Sequence, residues 1–321
     1  MLNRRQLLAS LAAGPLVGGR ALAQAAFPTK PVRLIVGYTA GGAVDLIARA
    51  LAQQMQSTLG QPVIVENRPG AGTNVAIRAL TDAAPDGHTL MLAANALAAN
   101  VSLYQPAPYD LGRDITPVSL VGRVPVVLAV ASGSPIKTLQ QFVAASKAGS
   151  MNYGSPGNGS TPHLAMELFE RTAGVKLTHV PYKGGSQAIT DVLGGHLQAV
   201  AVNALEVQPH VNADKLRVLG VMTLKRSGIF PDVPTVAEAG FPNFEAAVWY
   251  GVVGPASMAP ALVARLHGDV QKALATEDVR RRLTSAGGEV LPGPTAQLTS
   301  LLQSESARYG RLIREAQIKP D

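Results

Sequence analysis

Val32-Arg33-Leu34-Ile35-Val36-Gly37-Tyr38-Thr39-Ala40-Gly41-Gly42-Ala43-Val44-Asp45 is the stretch on which the fold turns. Val32–Val36 is mostly apolar and β-prone, and a turn of small residues follows it. From Ile47 the apolar residues Ile47, Leu51, Met55 and Leu59 recur at every fourth position, which predicts one buried face of a helix. A strand that enters a helix through Gly41-Gly42 presents backbone N–H groups at the positive end of the helix dipole. Such a turn makes an anion site without any charged side chain.

Outward from this turn, strand-like and helix-like runs alternate along nearly the whole chain. Residues 63–65 and 90–92 read as strands and 74–83 as a helix, with turns at Arg68-Pro69-Gly70 and Ala84-Pro85-Asp86-Gly87. The run 116–131 is too long for an ordinary strand and is bent by Gly122 and Pro125, as suits a segment leaving one lobe for another. A second series follows: helix Leu139–Ala148, strand 151–153, a helix from Pro162, strand Leu177–Pro181, a helix from Ser186, and strands 197–202 and Leu216–Val221. The tail 261–318 reads as helical, with Leu262, Leu266, Val270 and Leu274 on one face. The expected architecture is a two-lobed α/β fold of the venus-flytrap kind, each lobe a mostly parallel sheet flanked by helices. Lobe 1 is expected from 24–123 and 230–321, and lobe 2 from 124–229. Ligands of such sheets sit beyond the carboxyl ends of the strands.

Residues 1–23 read as an export signal. Arg4 and Arg5 precede an apolar run over 7–17, and Ala21-Leu22-Ala23 gives a small-x-small cleavage site before Gln24. The paired arginines leave general secretion and twin-arginine export both open. The run is too short to span a bilayer and is broken by Gly14, Pro15, Gly18 and Gly19. Cysteine is absent, which excludes disulfides, thiolate metal sites and a lipid-bearing cysteine. A periplasmic location fits these features. The formal charge of +7 includes three arginines of the leader, so the remainder carries about +4. That scattered excess, with few aromatics, reads as a solvated surface and not as a nucleic-acid face.

Four loops are built to present backbone or small polar groups. They are Tyr38 to Asp45, Ala93-Ala94-Asn95-Ala96, Gly154-Ser155-Pro156-Gly157-Asn158-Gly159-Ser160-Thr161, and Tyr182-Lys183-Gly184-Gly185-Ser186. Thr161 is expected to cap the helix that starts at Pro162. One strand–glycine–helix turn is usually a plain turn, but three of them on two lobes favour a shared anionic ligand. Asp45 is read as a cap or a ligand contact. Gly70-Ala71-Gly72-Thr73-Asn74-Val75 lacks the third glycine of a dinucleotide fingerprint, and no glycine loop ends in Gly-Lys-Ser/Thr. No serine has the flanking glycines of a nucleophile elbow, and the six histidines lack zinc spacing. No catalytic residue, metal or cofactor is expected. A serine hydrolase built on Ser160 and His163 stays open as a remote alternative.

These features together resemble the Bug/TctC receptors of tripartite tricarboxylate transporters, over essentially the whole chain after the leader. The resemblance rests on Pro28-Thr29-Lys30-Pro31-Val32-Arg33-Leu34-Ile35-Val36, Gly41-Gly42-Ala43-Val44-Asp45-Leu46-Ile47-Ala48-Arg49, Val65-Glu66-Asn67-Arg68-Pro69-Gly70-Ala71-Gly72, Ala84-Pro85-Asp86-Gly87-His88-Thr89-Leu90, Val180-Pro181-Tyr182-Lys183-Gly184 and Pro231-Asp232-Val233-Pro234-Thr235-Val236-Ala237-Glu238-Ala239-Gly240. It implies a class II periplasmic binding fold, a small organic carboxylate as ligand, transporter membrane subunits as partners and a monomeric chain. By position it implies ligand contacts at Tyr38, Gly41, Gly42, Asp45, Ser155, Asn158, Gly159, Ser160, Thr161, Lys183, Gly184 and Gly185, to which Asn95 and Asn203 are added from neighbouring loops. Ala40 stands where the family usually has proline. Val202 stands where an aspartate is common, so cationic ligands are expected to bind poorly. A sensor that presents its closed form to a kinase is the alternative to transport.

Overall fold

The computed structural model describes residues 27–285 and 287–320, so the proposed leader lies outside the described residues. In chain order the first lobe opens with β1 (Val32–Val36), α1 (Ala43–Leu59), β2 (Val63–Asn67), α2 (Asn74–Thr81), β3 (Thr89–Ala93) and α3 (Ala96–Leu103). β1 lies between β2 and β3, parallel to both. Ile47, Leu51, Met55 and Leu59 of α1 are all buried, the face that their spacing predicts. α3 was not foreseen. Ala96-Leu97-Ala98-Ala99 is apolar on every side, so it carries no helical period to read.

β4 (Ile115–Ala131) then crosses between the lobes. The second lobe contains α4 (Leu139–Ala148), β5 (Met151–Ser155), α5 (Thr161–Ala173), β6 (Leu177–Pro181), α6 (Gly185–Leu193), β7 (Ala199–Asn203), α7 (Ala204–Asn212) and β8 (Leu216–Val221). β5 is parallel to β6 and β7, while β7 and β8 are antiparallel to the C-terminal half of β4. The chain comes back along β9 (Ala247–Pro255), antiparallel to β3 and to the N-terminal half of β4. It ends with α8 (Pro260–Ala275), α9 (Glu277–Thr284), β10 (Glu289–Val290) and α10 (Thr295–Ala316).

One expectation is corrected. Each sheet is mixed and not mostly parallel, because β4 and β9 are the crossing strands and run in opposite directions through the molecule. Residues past 230 also pack on the second sheet. Thr235 bridges to Val221, the Phe241 and Phe244 rings pack on Phe169, and Ala246 N–H donates to Met222 O at 2.6 Å. Aromatic packing therefore keeps 230–246 on the second sheet. The same crossing sets the carboxyl ends of β1 and β3 opposite those of β5, β6 and β7, and the helices that follow them start at the cleft.

Candidate functional site

The N-termini of α1, α5, α6 and α7 meet at the floor of the interlobe cleft. A cavity there is lined by Tyr38, Gly42, Ala43, Ser160, Thr161, Gly185, Asn203 and Glu206, among others, and has about 20 Å³ of room for water. That is space for about one water molecule. An outer chamber of about 170 Å³ shares Tyr38 and Pro156 with the floor and is lined further by Gly70 to Thr73, Gly157, Asn158 and Lys183. The lobes touch here, since Thr39 N–H donates to Lys183 O at 3.1 Å.

At the start of α1, two carboxylates take the N–H groups on either side of Gly42. Gly41 has a φ of +82°, a backbone that glycine adopts without strain. This turns its N–H onto Asp45 Oδ2 at 2.9 Å. The Asp45 carboxylate also accepts Arg49 Nε and Nη2, both at 2.9 Å, and Asn67 Nδ2 at 3.0 Å. Burial alone would raise its pKa, but the bonds from Arg49, Gly41 and Asn67 outweigh it and hold the carboxyl below its usual range. Asp45 therefore braces the loop, and neither it nor the Gly41 N–H is left for a ligand.

Glu206 occupies the other side. Its Oε1 accepts Ala43 N–H at 3.1 Å from the opposite lobe, and its Oε2 accepts the backbone N–H and Nδ2 of Asn203, both at 3.2 Å. The Asn203 Oδ1 faces the Glu206 N–H as the reciprocal half of a capping box, too loosely to count as a hydrogen bond. Gly185 lets the carboxylate lie against the start of α6: a Cβ there would sit 2.6 Å from both oxygens. Among the described residues Glu206 has no ion pair. Burial pushes its pKa up despite the bonds from Ala43 and Asn203. Burial and then the Glu206 charge push the Tyr38 phenol up as well.

Glu206 was missed in the sequence, although Asn203-x-x-Glu206 directly after a predicted strand is a helix-start signature. Of the residues that were singled out, the structure brings Tyr38, Gly42, Ser160, Thr161, Gly185 and Asn203 to the floor, and Asn158 and Lys183 to the outer chamber. Gly184 packs on Thr39 where the lobes meet, and Gly159 packs on Asn100. Asn95 is elsewhere. It is wholly buried, donating to Tyr309 at 2.7 Å and Glu305 at 3.1 Å and accepting Trp249 N–H at 3.0 Å. Ser155 is buried against His179 Nε2 at 2.7 Å and accepts Gly157 N–H, which fixes its loop. Both bonds hold its hydroxyl within the loop. The cap of α5 is Ser160, which accepts His163 N–H, and not Thr161.

The hydrolase alternative built on Ser160 and His163 lacks the geometry it needs. The His163 Nδ1 accepts Gly159 N–H at 3.2 Å, and Ser160 Oγ meets the backbone of His163, not its ring. A nucleophile needs a base within hydrogen-bond reach, and Ser160 lacks that arrangement with His163.

Comparison with known proteins gives a consistent picture. A family model described as tripartite tricarboxylate transporter family receptor matches residues 47–318. The chain is 35% identical over 297 residues to protein BugT of Bordetella pertussis, covering 91% of each. It resembles the structure of MatC from Rhodopseudomonas palustris with bound malate, at a TM-score of 0.86 and 32% identity, over 89% of this chain and 100% of that one. A second R. palustris protein, solved with adipate, matches at a TM-score of 0.87 and 31% identity, over 92% of this chain and 100% of that one.

Proposed function

The chain belongs to the tripartite tricarboxylate transporter receptor family, and from that premise we propose that it captures a small organic carboxylate in the periplasm and hands it to the membrane subunits of its transporter. Members of this family are solute receptors and not enzymes. The observation that carries the reading is the meeting of four helix N-termini from two lobes around one cleft. Aligned helix dipoles favour an anionic group in the cleft they point into. The malate and adipate bound to the two R. palustris proteins are of the expected class.

A ligand held by α1 of one lobe and by α5 and α6 of the other makes its full set of contacts only when the lobes are closed. Differential contact of this kind is what shifts an open–closed equilibrium. The proposed ligand contacts are Tyr38, Gly42, Asn158, Ser160, Thr161, Lys183, Gly184, Gly185 and Asn203, together with Glu206. A thermal-shift screen over mono-, di- and tricarboxylates, aromatic acids and amino acids tests the reading. A specific ligand at about 100 times its Kd should stabilise the protein by about 2.7 kcal/mol. Small-angle scattering of the purified chain should show contraction when that ligand saturates. Silence across every carboxylate, or binding without contraction, would sink the clamp.

A further inference from the structure

We propose that Glu206 makes the floor of the cleft a subsite for a primary ammonium, so that the ligand is an amino-carboxylate, with its amine inward and its carboxylate toward the outer chamber. The inference rests on the carboxylate-receptor reading above and names the other end of the molecule that the receptor holds.

Two physical facts lead there. The first is charge. The sequence predicts an anion site at the Gly41-Gly42 turn, yet carboxylates of the protein itself already take the N–H groups on either side of Gly42, and the Ala43 N–H goes to Glu206 from across the cleft. Glu206 is 8% exposed and has no ion pair among the described residues. An anion brought against this ionised carboxylate would be repelled and a cation attracted, and burial weakens the screening of both effects. Glu206 accepts three N–H bonds, whereas a carboxylate has about four acceptor positions, so one position remains for a donor on the ligand. Asn203, whose buried Oδ1 faces the Glu206 N–H too loosely for a good hydrogen bond, lines the same cavity.

The second fact is size. About 20 Å³ of room admits one heavy atom with its hydrogens, which describes water or an ammonium, while a carboxylate brings three heavy atoms. The neighbouring chamber of about 170 Å³ is lined by Lys183, so an acid lines the floor and a base lines the chamber beside it. A zwitterion laid along that axis satisfies both ends. The loss of an acid at Val202 is thus made good four residues later, and the expectation that cations bind poorly is reversed.

The test compares ligands that differ at one end only, using the purified full-length mature chain and calorimetry. The pairs are succinate with 3-aminopropanoate, glutarate with 4-aminobutyrate, and adipate with 5-aminopentanoate. In the pair of the best length the amine member should bind at least about tenfold tighter, and Glu206→Gln, with its melting curve checked, should erase that preference. Glu206→Ser, which removes the charge and opens space, should tilt the preference to the dicarboxylate. If the wild type favours dicarboxylates, or if Glu206→Gln keeps the amine preference, the ammonium subsite is wrong while the carboxylate receptor stands. If no member of any pair binds the wild type or the serine variant, the carboxylate reading falls and the subsite falls with it.

Discussion

Asp45 and Glu206 are both buried carboxylates at the start of α1, taking N–H groups one residue to either side of Gly42, and they are opposite in kind. Asp45 comes from within the helix and finds Arg49 one turn on, a contact that any helix offers at that spacing. Glu206 comes from the other lobe, has no ion pair among the described residues, and collects backbone and amide N–H groups instead. One carboxyl is held below its ordinary range and the other is pushed above it. Charge neutralised inside one lobe holds a loop; charge left open between two lobes is available to whatever enters.

The sharpest way to break this division is at the residue between the two. Gly42 has an ordinary φ of −80°, so a side chain there is not strained in its backbone. A Cβ would stand 3.1 Å from Glu206 Oε1, and the branches of valine would fill the floor of the cavity. Gly42→Val should weaken ligand binding by about 100-fold or more, close to 2.7 kcal/mol, with melting nearly unchanged. Calorimetry beside a melting curve reads both. Binding like that of the wild type would mean that the floor is not used.

Next in size is Asp45→Asn, which should cost about 2 kcal/mol of stability, since the bonds to Arg49 involve two charges. Its dependence on pH carries the sign. A carboxyl held below its ordinary value of 3.8 contributes stability that is fully present above that value and lost as pH falls through the folded pKa. The gap in Tm between wild type and variant should therefore be full at neutral pH and close in strong acid. A gap that stays constant down to strong acid would mean that the carboxylate charge is not what braces the loop.

A smaller effect is expected from the opposite rim. Ser160→Ala with Thr161→Ala removes a cap and a hydroxyl at the floor and should weaken binding about tenfold, with less contraction in scattering at saturating ligand. Equal contraction would separate affinity from closure and release α5 from the clamp.

What the sequence made legible is local. The face of α1, β1, α4, β6 and β8 follow from periods and turns within a dozen residues, and the glycine loops announce themselves because few residues can make those turns. What it hid is the choice of partner. Asn95 reads as a loop amide, but its donors go to Glu305 and Tyr309, more than 200 residues away. Asp45 and Ser155 look available until their neighbours are seen, and Glu206 looks like an ordinary cap until the first lobe is laid over it. α3 failed for another reason: a helix buried on all sides has no polar face to mark it.

The smallest prediction supplies a control for Glu206. Glu170, on α5, also lacks an ion pair among the described residues, though it does not line the floor cavity. Burial pushes it up to about 7, despite the N–H of Leu177 bonding its Oε2 at 2.9 Å; Glu167 adds to the rise and Lys176 opposes it. An acid raised in the folded state is harmless below its unfolded value of 4.5 and costs stability as pH climbs through 7. Glutamine keeps the oxygen that Leu177 needs and never ionises. Glu170→Gln should then match the wild type at pH 4 and melt about 1–2 °C higher at pH 8, a gain kept small by solvent around the half-buried group. Ligand binding should not change. If it does, a buried acid without an ion pair is no longer distinguished by facing the cleft, and the contrast that sets Glu206 apart loses its footing.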